Sequence, residues 1–521
     1  MRLIGIVGSG ATTSKAPLIV NEEVEQLAKE EQLVVIDDGS RGIKYLGVLR
    51  EVQRLEPFLT SWRRTSFVDN PNLVESGILP YSRASVFIIG VLSPLGELSE
   101  PQLPPNPGSK VFVIESPKDL TLNLGLAESI MVGTHKYSGI EIPLRSDALP
   151  YHIAVVGTTG SGKSRLVKVL IDEILSRTDY SVIVFDHTGM DYVPFYEVKY
   201  VIKARDVVLE PTLIASLISS RCGYDDREGY LLLSAIIYIL NYLASLSENV
   251  ISDVVDFEST AGTGARTTLV STRTQPRRLG NFNVESLMKL RIDFDKLYDY
   301  MAKYPIKWNI HVFKDILSKV TKELNARGST KVKLQVAVSI KAGTPLFESL
   351  SGRNIHPRNI VLKAFKDKLC VVDLSGEDHL VKKFIITSVL NELWKSIESE
   401  GKAVKTVVVI DEAHNYACRY CGESLKAIAR TVREGRKWGL GLILATQRIM
   451  DIDPEVRNNL NTLFFSKLQT PTDFNELRGY MDLAGISEAS LAILGKREFF
   501  VAGLMNPLKI PILIKVKEVK I

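Results

Sequence analysis

Cysteine is nearly absent: Cys222, Cys370, Cys418 and Cys421 are the four in 521 residues. So few thiols in so long a chain exclude a disulfide framework and point to a reducing, cytoplasmic setting. Cys418-Arg-Tyr-Cys421 has the spacing of a metal-ligand pair, but no second such pair and no paired histidines accompany it. The spacing therefore predicts two cysteines on one helix turn rather than a metal site. Charge of one sign is scarce too, the formal net charge being +5, a balance that permits a polyanionic partner and demands none. No apolar run reaches the roughly 20 residues that a membrane helix needs. The nearest, Tyr230 to Leu246, contains Ser234 and Asn241 and predicts a buried helix. The opening Met1-Arg-Leu-Ile-Gly-Ile-Val-Gly8 turns too early for a secretory signal, so no membrane and no targeting segment is expected.

What is present is length, enough for about two to four domains at roughly 100 to 200 residues each. Short β segments at Leu3 to Val7, Leu33 to Ile36, Tyr45 to Val52, Ser85 to Val91 and Lys110 to Val113 predict a small β-barrel, with turn signals such as Asp37-Asp-Gly-Ser40 between them. From about Tyr151 the pattern becomes α/β, with buried strands at Ile153 to Val156, Ser181 to Phe185, Leu369 to Leu374, Thr406 to Ile410 and Leu442 to Ala445. Between the second and third of these, helical periodicity with few strand signals predicts a helical insertion. The expected boundaries are a barrel over 1–145, the two parts of an α/β core over 146–204 and 361–521, and the insertion over 205–360.

Gly157-Thr-Thr-Gly-Ser-Gly-Lys163-Ser164 stands directly behind Ile153-Ala-Val-Val156 and directly before Leu166-Val-Lys-Val-Leu170, so a phosphate-binding loop is written between a strand and a helix. Its glycines let the backbone of Gly157, Thr158, Thr159, Gly160, Ser161 and Gly162 close around phosphates. Lys163 then reaches the β and γ oxygens, Ser164 ligates Mg²⁺, and Arg165 follows in the helix. The expected ligands are ATP and Mg²⁺. Turnover needs an acidic element on a neighbouring strand, and Thr406-Val-Val-Val-Ile-Asp411-Glu412 supplies one. Asp411 suits the Mg²⁺ shell and Glu412 the activation of water.

These motifs are joined by Phe185-Asp-His-Thr-Gly-Met-Asp-Tyr192, Val372-Asp-Leu-Ser-Gly376 and Val432-Arg-Glu-Gly-Arg-Lys-Trp-Gly-Leu-Gly-Leu-Ile-Leu-Ala-Thr-Gln-Arg448. Together they resemble the HerA branch of the HerA/FtsK hexameric ATPases. The resemblance covers nearly the whole chain, from Gly5-Ile-Val-Gly-Ser-Gly-Ala-Thr-Thr13 to the closing segments Glu498-Phe-Phe-Val-Ala-Gly503 and Ile510 to Val516. It implies a RecA-like P-loop core with a helical insertion behind a small barrel. It also implies a homo-hexameric, ATP-driven DNA translocase or helicase, typically archaeal, that resects broken DNA ends beside a NurA-type nuclease. Carried over by position, Gln447 matches the family's polar sensor and Arg436 a trans-acting arginine. Two positions depart from the family: Asp191 stands one residue beyond the usual Asp-x-x-Gly-Glu-Tyr acid, and Tyr151 stands where relatives often carry arginine, with Arg145 close by. Coupling or secretion ATPases of conjugative systems share the motor but work at a membrane, which makes Tyr230 to Leu246 the discriminating segment.

The segment from Thr263 to Arg278 carries Arg266, Arg273, Arg277 and Arg278, many hydroxyls and no acid, as a non-specific grip on phosphates requires. A second basic stretch, Lys322 to Lys333, also contains Glu323. Neither has the interleaved aromatics that stack single-stranded bases, so the expected partner is duplex DNA without sequence preference.

Overall fold

The computed structural model describes residues 1–55, 81–222, 228–246, 248–257 and 282–518. They form two compact units, Met1–Phe185 with Ser396–Ile521, and Asp186–Lys395.

In the first unit six antiparallel strands close a barrel. Their order is Lys15–Val20, Arg2–Val7, Lys110–Val113, Leu33–Asp38, Ile43–Leu55 and Tyr81–Leu92, and the last pairs back onto the first. Alternation along each strand drives the closure: Ala16, Leu18 and Val20 turn inward to join Ile4, Val34, Ile36, Tyr45 and Val86 in one core. Lys15–Val20 is the strand that the sequence pattern conceals, because Pro17 lacks a ladder donor and reads as a strand breaker.

The same unit carries an α/β sheet. Ser181–Asp186, Thr406–Ile410, Leu440–Thr446, Ile153–Val156 and Thr462–Phe465 run parallel in that order. Glu498–Gly503, Ile512–Val516 and Gly133–His135 continue it antiparallel. The five parallel strands are buried along their lengths, which is why they read as nearly unbroken apolar runs. Ile410 pairs with Leu444 and Thr446 with Val156, so three neighbouring strands end along one edge. Ligands of open parallel sheets bind outside such carboxyl ends.

Arg50 ties the barrel to this sheet's periphery. Its guanidinium, fully buried, donates to both oxygens of Glu31 at 2.8 and 2.9 Å, to Ala484 O at 2.6 Å and to Pro511 O at 2.6 Å. Burial raises the Glu31 carboxyl pKa, while Arg50 opposes that shift.

In the second unit Val201–Lys203 and Leu369–Asp373 pair in parallel. The helices between them include Pro211–Cys222, Glu228–Leu246, Phe294–Lys303, Ile310–Glu323, Gly328–Ala337, Gly343–Leu350 and Pro357–Asp367. Glu228–Leu246 is long and apolar enough to cross a membrane by length and composition, yet half of its apolar window is buried within the protein. It packs on Pro211–Cys222 and Ile310–Glu323, and its Tyr238 ring stacks on Trp308 at 4.5 Å.

Candidate active site

Val156 ends the strand and Lys163 begins the helix Lys163–Arg177, so six residues must turn the chain between them. Gly160 (φ +81°) and Gly162 (φ +103°) take the left-handed backbone that other residues rarely adopt. Gly162 is crowded as well: a Cβ there would lie 3.3 Å from Arg497 N and 3.2 Å from Arg497 Cγ. Two distant segments brace the loop. Thr158 N–H donates to Lys467 O at 2.9 Å, and Arg497 N–H donates to Ser161 O at 2.8 Å.

Lys163 Nζ folds back over the loop and donates to Gly157 O at 2.9 Å and Thr158 O at 3.3 Å. Ser164 and Arg165 are half-buried in the first helical turn. Ser161 Oγ is buried without a hydrogen-bond partner, a hydroxyl that a polar ligand in the loop would satisfy. A helix start also presents backbone N–H groups and a positive dipole end to an anion. The residues present therefore fit the phosphates of a nucleotide.

Asp411 and Glu412 follow the strand Thr406–Ile410, and Gln447 follows Leu440–Thr446. The parallel register described above carries both ends to the phosphate loop. Thr159 Oγ1 donates to Gln447 Oε1 at 3.2 Å, and Gln447 Nε2 donates to Glu412 Oε1 at 3.3 Å. The Gln447 amide thus bridges the loop and the glutamate. Glu412 Oε2 lies 3.3 Å from His414 Nδ1, and Asp411 is buried with its N–H on Phe185 O at 3.3 Å. Glu412 has φ +46° and ψ +47°, a left-handed conformation that strains an L-residue by roughly 1–2 kcal/mol. Strain of this kind persists where the surroundings over-determine a residue, and it clusters at functional sites.

The sequence names Asp411, Glu412 and Gln447. His414 stands two residues after Glu412 in the chain, but the Thr159 bridge and the Lys467 and Arg497 braces carry no local signal, because strands distant in the chain bring them together. Only Gly162 hints at them, as a glycine where backbone approaches closely.

Asp186 organises the second unit's turn. Its buried carboxylate accepts from the Gly189 N–H at 2.9 Å, the Tyr192 N–H at 2.8 Å and the Val193 N–H at 3.0 Å. Asp191 accepts from Thr188 Oγ1 at 3.1 Å, so the displaced acid still closes the turn.

Arg436 is exposed, and its guanidinium lies 4.1 Å from the Tyr151 ring centroid. Arg430 pairs with Glu398 at 2.7 Å, Arg433 with Glu455 at 2.6 Å and Arg145 with Asp147 at 2.6 Å. Arg436 has no carboxylate partner among the described residues. Arg266, Arg273, Arg277 and Arg278 lie outside the described residues.

The expected pair of thiols on a helix turn is corrected. Cys418 and Cys421 form a disulfide in the loop between the turn Ala413–Asn415 and the helix Glu423–Glu434, while Cys222 and Cys370 are free and buried. A loop brings the two Cα atoms to 5.1 Å, within bridging range. Burial pushes the Cys370 thiol up to about 12, so it stays protonated.

A family model described as "Helicase HerA, central domain" matches residues 130–393, half of the chain. The chain belongs to the HerA family. A HerA relative from Sulfurisphaera tokodaii, named a DNA double-strand break repair helicase, is 24% identical over 99% of this chain and 93% of its own length. The Pyrococcus furiosus HerA of the same name is 22% identical over 99% of this chain and 92% of its own. Among solved structures, VirB4 of Thermoanaerobacter pseudethanolicus aligns with a TM-score of 0.45 and 15% identity, covering 75% of this chain and 97% of that one. As a HerA-type ATPase, the chain binds nucleotide and hydrolyses ATP.

Proposed function

We propose that this HerA-family ATPase is a DNA translocase or helicase, working as a homo-hexameric ring in the cytoplasm and serving resection of double-strand breaks beside a NurA-type nuclease. The observation that carries the reading is the hydrogen-bonded path Thr159–Gln447–Glu412. It links the phosphate loop to the group suited to activate water, in a chain whose full-length relatives are named DNA repair helicases.

In this reading Gly157, Thr158, Thr159, Gly160, Ser161, Gly162, Lys163, Ser164 and Arg165 hold the nucleotide. Ser164 and Asp411 would hold Mg²⁺, which supplies charge neutralisation at the phosphates. Glu412 takes the proton of the attacking water. Gln447 orients Glu412 and reports on the loop through Thr159. Arg436, which lacks a carboxylate partner among the described residues, is offered to a neighbouring subunit, where a guanidinium stabilises the charge spreading on the γ-phosphoryl oxygens. Arg266, Arg273, Arg277 and Arg278 grip duplex phosphates, and residues 205–360 act as an insertion between the core parts 146–204 and 361–521, behind the barrel of 1–145.

Translocation is tested by displacement of a third strand from a duplex. The wild-type protein with ATP strips the strand, and Glu412→Gln does not. A wild-type protein that hydrolyses ATP and leaves the third strand bound would defeat the translocase reading.

A further inference from the structure

We propose that Arg497 is a phosphate-contacting residue of the nucleotide site, held in reserve on Glu518 until nucleotide binds. The proposal rests on the nucleotide reading of the P-loop.

Arg497 immediately precedes the strand Glu498–Gly503 and lies against the phosphate loop through both backbone and side chain. Its N–H holds Ser161 O at 2.8 Å, and its Cγ lies 3.2 Å from where Gly162 would carry a Cβ. The side chain therefore runs past the last glycine of the loop, next to Lys163, and the guanidinium begins two bonds beyond that Cγ. Its carbonyl accepts from Val516 N–H at 2.9 Å, which fixes the residue between the loop and the strand Ile512–Val516.

The backbone of Arg497 is left-handed, with φ +67°. Were the residue only a strut, glycine would supply the same N–H and carbonyl without strain. A long cationic side chain at a position that penalises any side chain indicates that the guanidinium itself is used.

In this structure the guanidinium pairs with Glu518 at 3.0 Å, and the two side chains are 28% and 84% exposed. An ion pair to so exposed a carboxylate is weak. A polyphosphate offers a stronger, bidentate partner to the planar fork. Arg497 thus exchanges one anion for another, and Glu518 acts as the competitor.

The test is nucleotide affinity, measured by calorimetry with ADP and with a non-hydrolysable ATP analogue on the full chain, beside its denaturant midpoint. Arg497→Gly removes the fork and relieves the strained backbone. It is expected to bind nucleotide about tenfold more weakly without losing stability. Arg497→Lys keeps the charge and falls between. Glu518→Gln releases the arginine and is expected to bind about two- to fivefold more tightly. Wild-type affinity in Arg497→Gly, or unchanged affinity in Glu518→Gln, overturns the proposal while leaving the nucleotide reading intact. A wild-type protein that binds neither nucleotide overturns both.

Discussion

Glu412 separates stability from chemistry within one residue. Its backbone sits at φ +46° and ψ +47°, where a Cβ meets the following carbonyl and strains the chain by roughly 1–2 kcal/mol. Its carboxylate bonds to Gln447 at 3.3 Å and adjoins His414 at 3.3 Å. Glu412→Ala and Glu412→Gly both delete the carboxylate, so both are expected to lose hydrolysis by about 10²- to 10⁴-fold, the range for a lost general base. They differ in the backbone. Alanine keeps the strain, while glycine releases it and surrenders roughly 0.4–1 kcal/mol to the freer unfolded chain. The glycine variant should therefore be more stable than the alanine variant by up to about 1.5 kcal/mol. The assay is a pair of urea titrations under identical conditions, with steady-state ATPase on the same samples. An alanine variant clearly more stable than the glycine variant would refute the strained conformation. Near-wild-type hydrolysis by either would refute the role of the carboxylate.

Other outcomes follow from buried charge and from the arginines. Burial holds His135 and His152 neutral, each at about 4, below the ordinary 6.5. The unfolded chain takes up these protons first, so their stabilisation is full above pH 6.5 and lost as pH falls towards 4, by roughly 3 kcal/mol each at most. Denaturant midpoints should drop between pH 6.5 and 4.5, and less steeply in His135→Gln, His152→Gln; equal slopes would contradict the assignment. Arg50→Ala strands the buried Glu31 carboxylate and should destabilise the protein by about 3–5 kcal/mol, with Arg50→Ala, Glu31→Ala recovering part of the loss; a single variant that unfolds like wild type would deny the clamp. Under the proposed ring assembly, mixing Arg436→Ala with Glu412→Gln subunits should regain some ATPase activity over either parent if the arginine acts in trans, whereas mixed assemblies as inactive as the parents would count against it.

Much of the candidate site is legible in the sequence because its residues are written locally. The loop from Gly157 to Ser164 and the acid pair Asp411-Glu412 each follow a buried apolar strand, and strand ends in a parallel sheet are where such residues act. Gln447 came from resemblance rather than from any local pattern. Its bond to Thr159 depends on the pairing of Val156 with Thr446, two residues far apart in sequence. Arg497 and Lys467 were invisible for the same reason, since ordinary loop positions become braces only when the sheet is assembled. In the barrel, alternation revealed five strands, and Pro17 hid the sixth by mimicking a breaker. The thiol pair misled because scarcity of cysteine argues against a framework of bridges, and says little about two cysteines three residues apart in one turn.

Coupling of ATP hydrolysis to DNA is read by steady-state hydrolysis measured with and without a long duplex. The expected result is measurable ATPase activity that rises on adding duplex of any sequence, more at low salt than at high salt, and that vanishes in Lys163→Ala under both conditions. Hydrolysis indifferent to duplex, or surviving loss of Lys163, would contradict it.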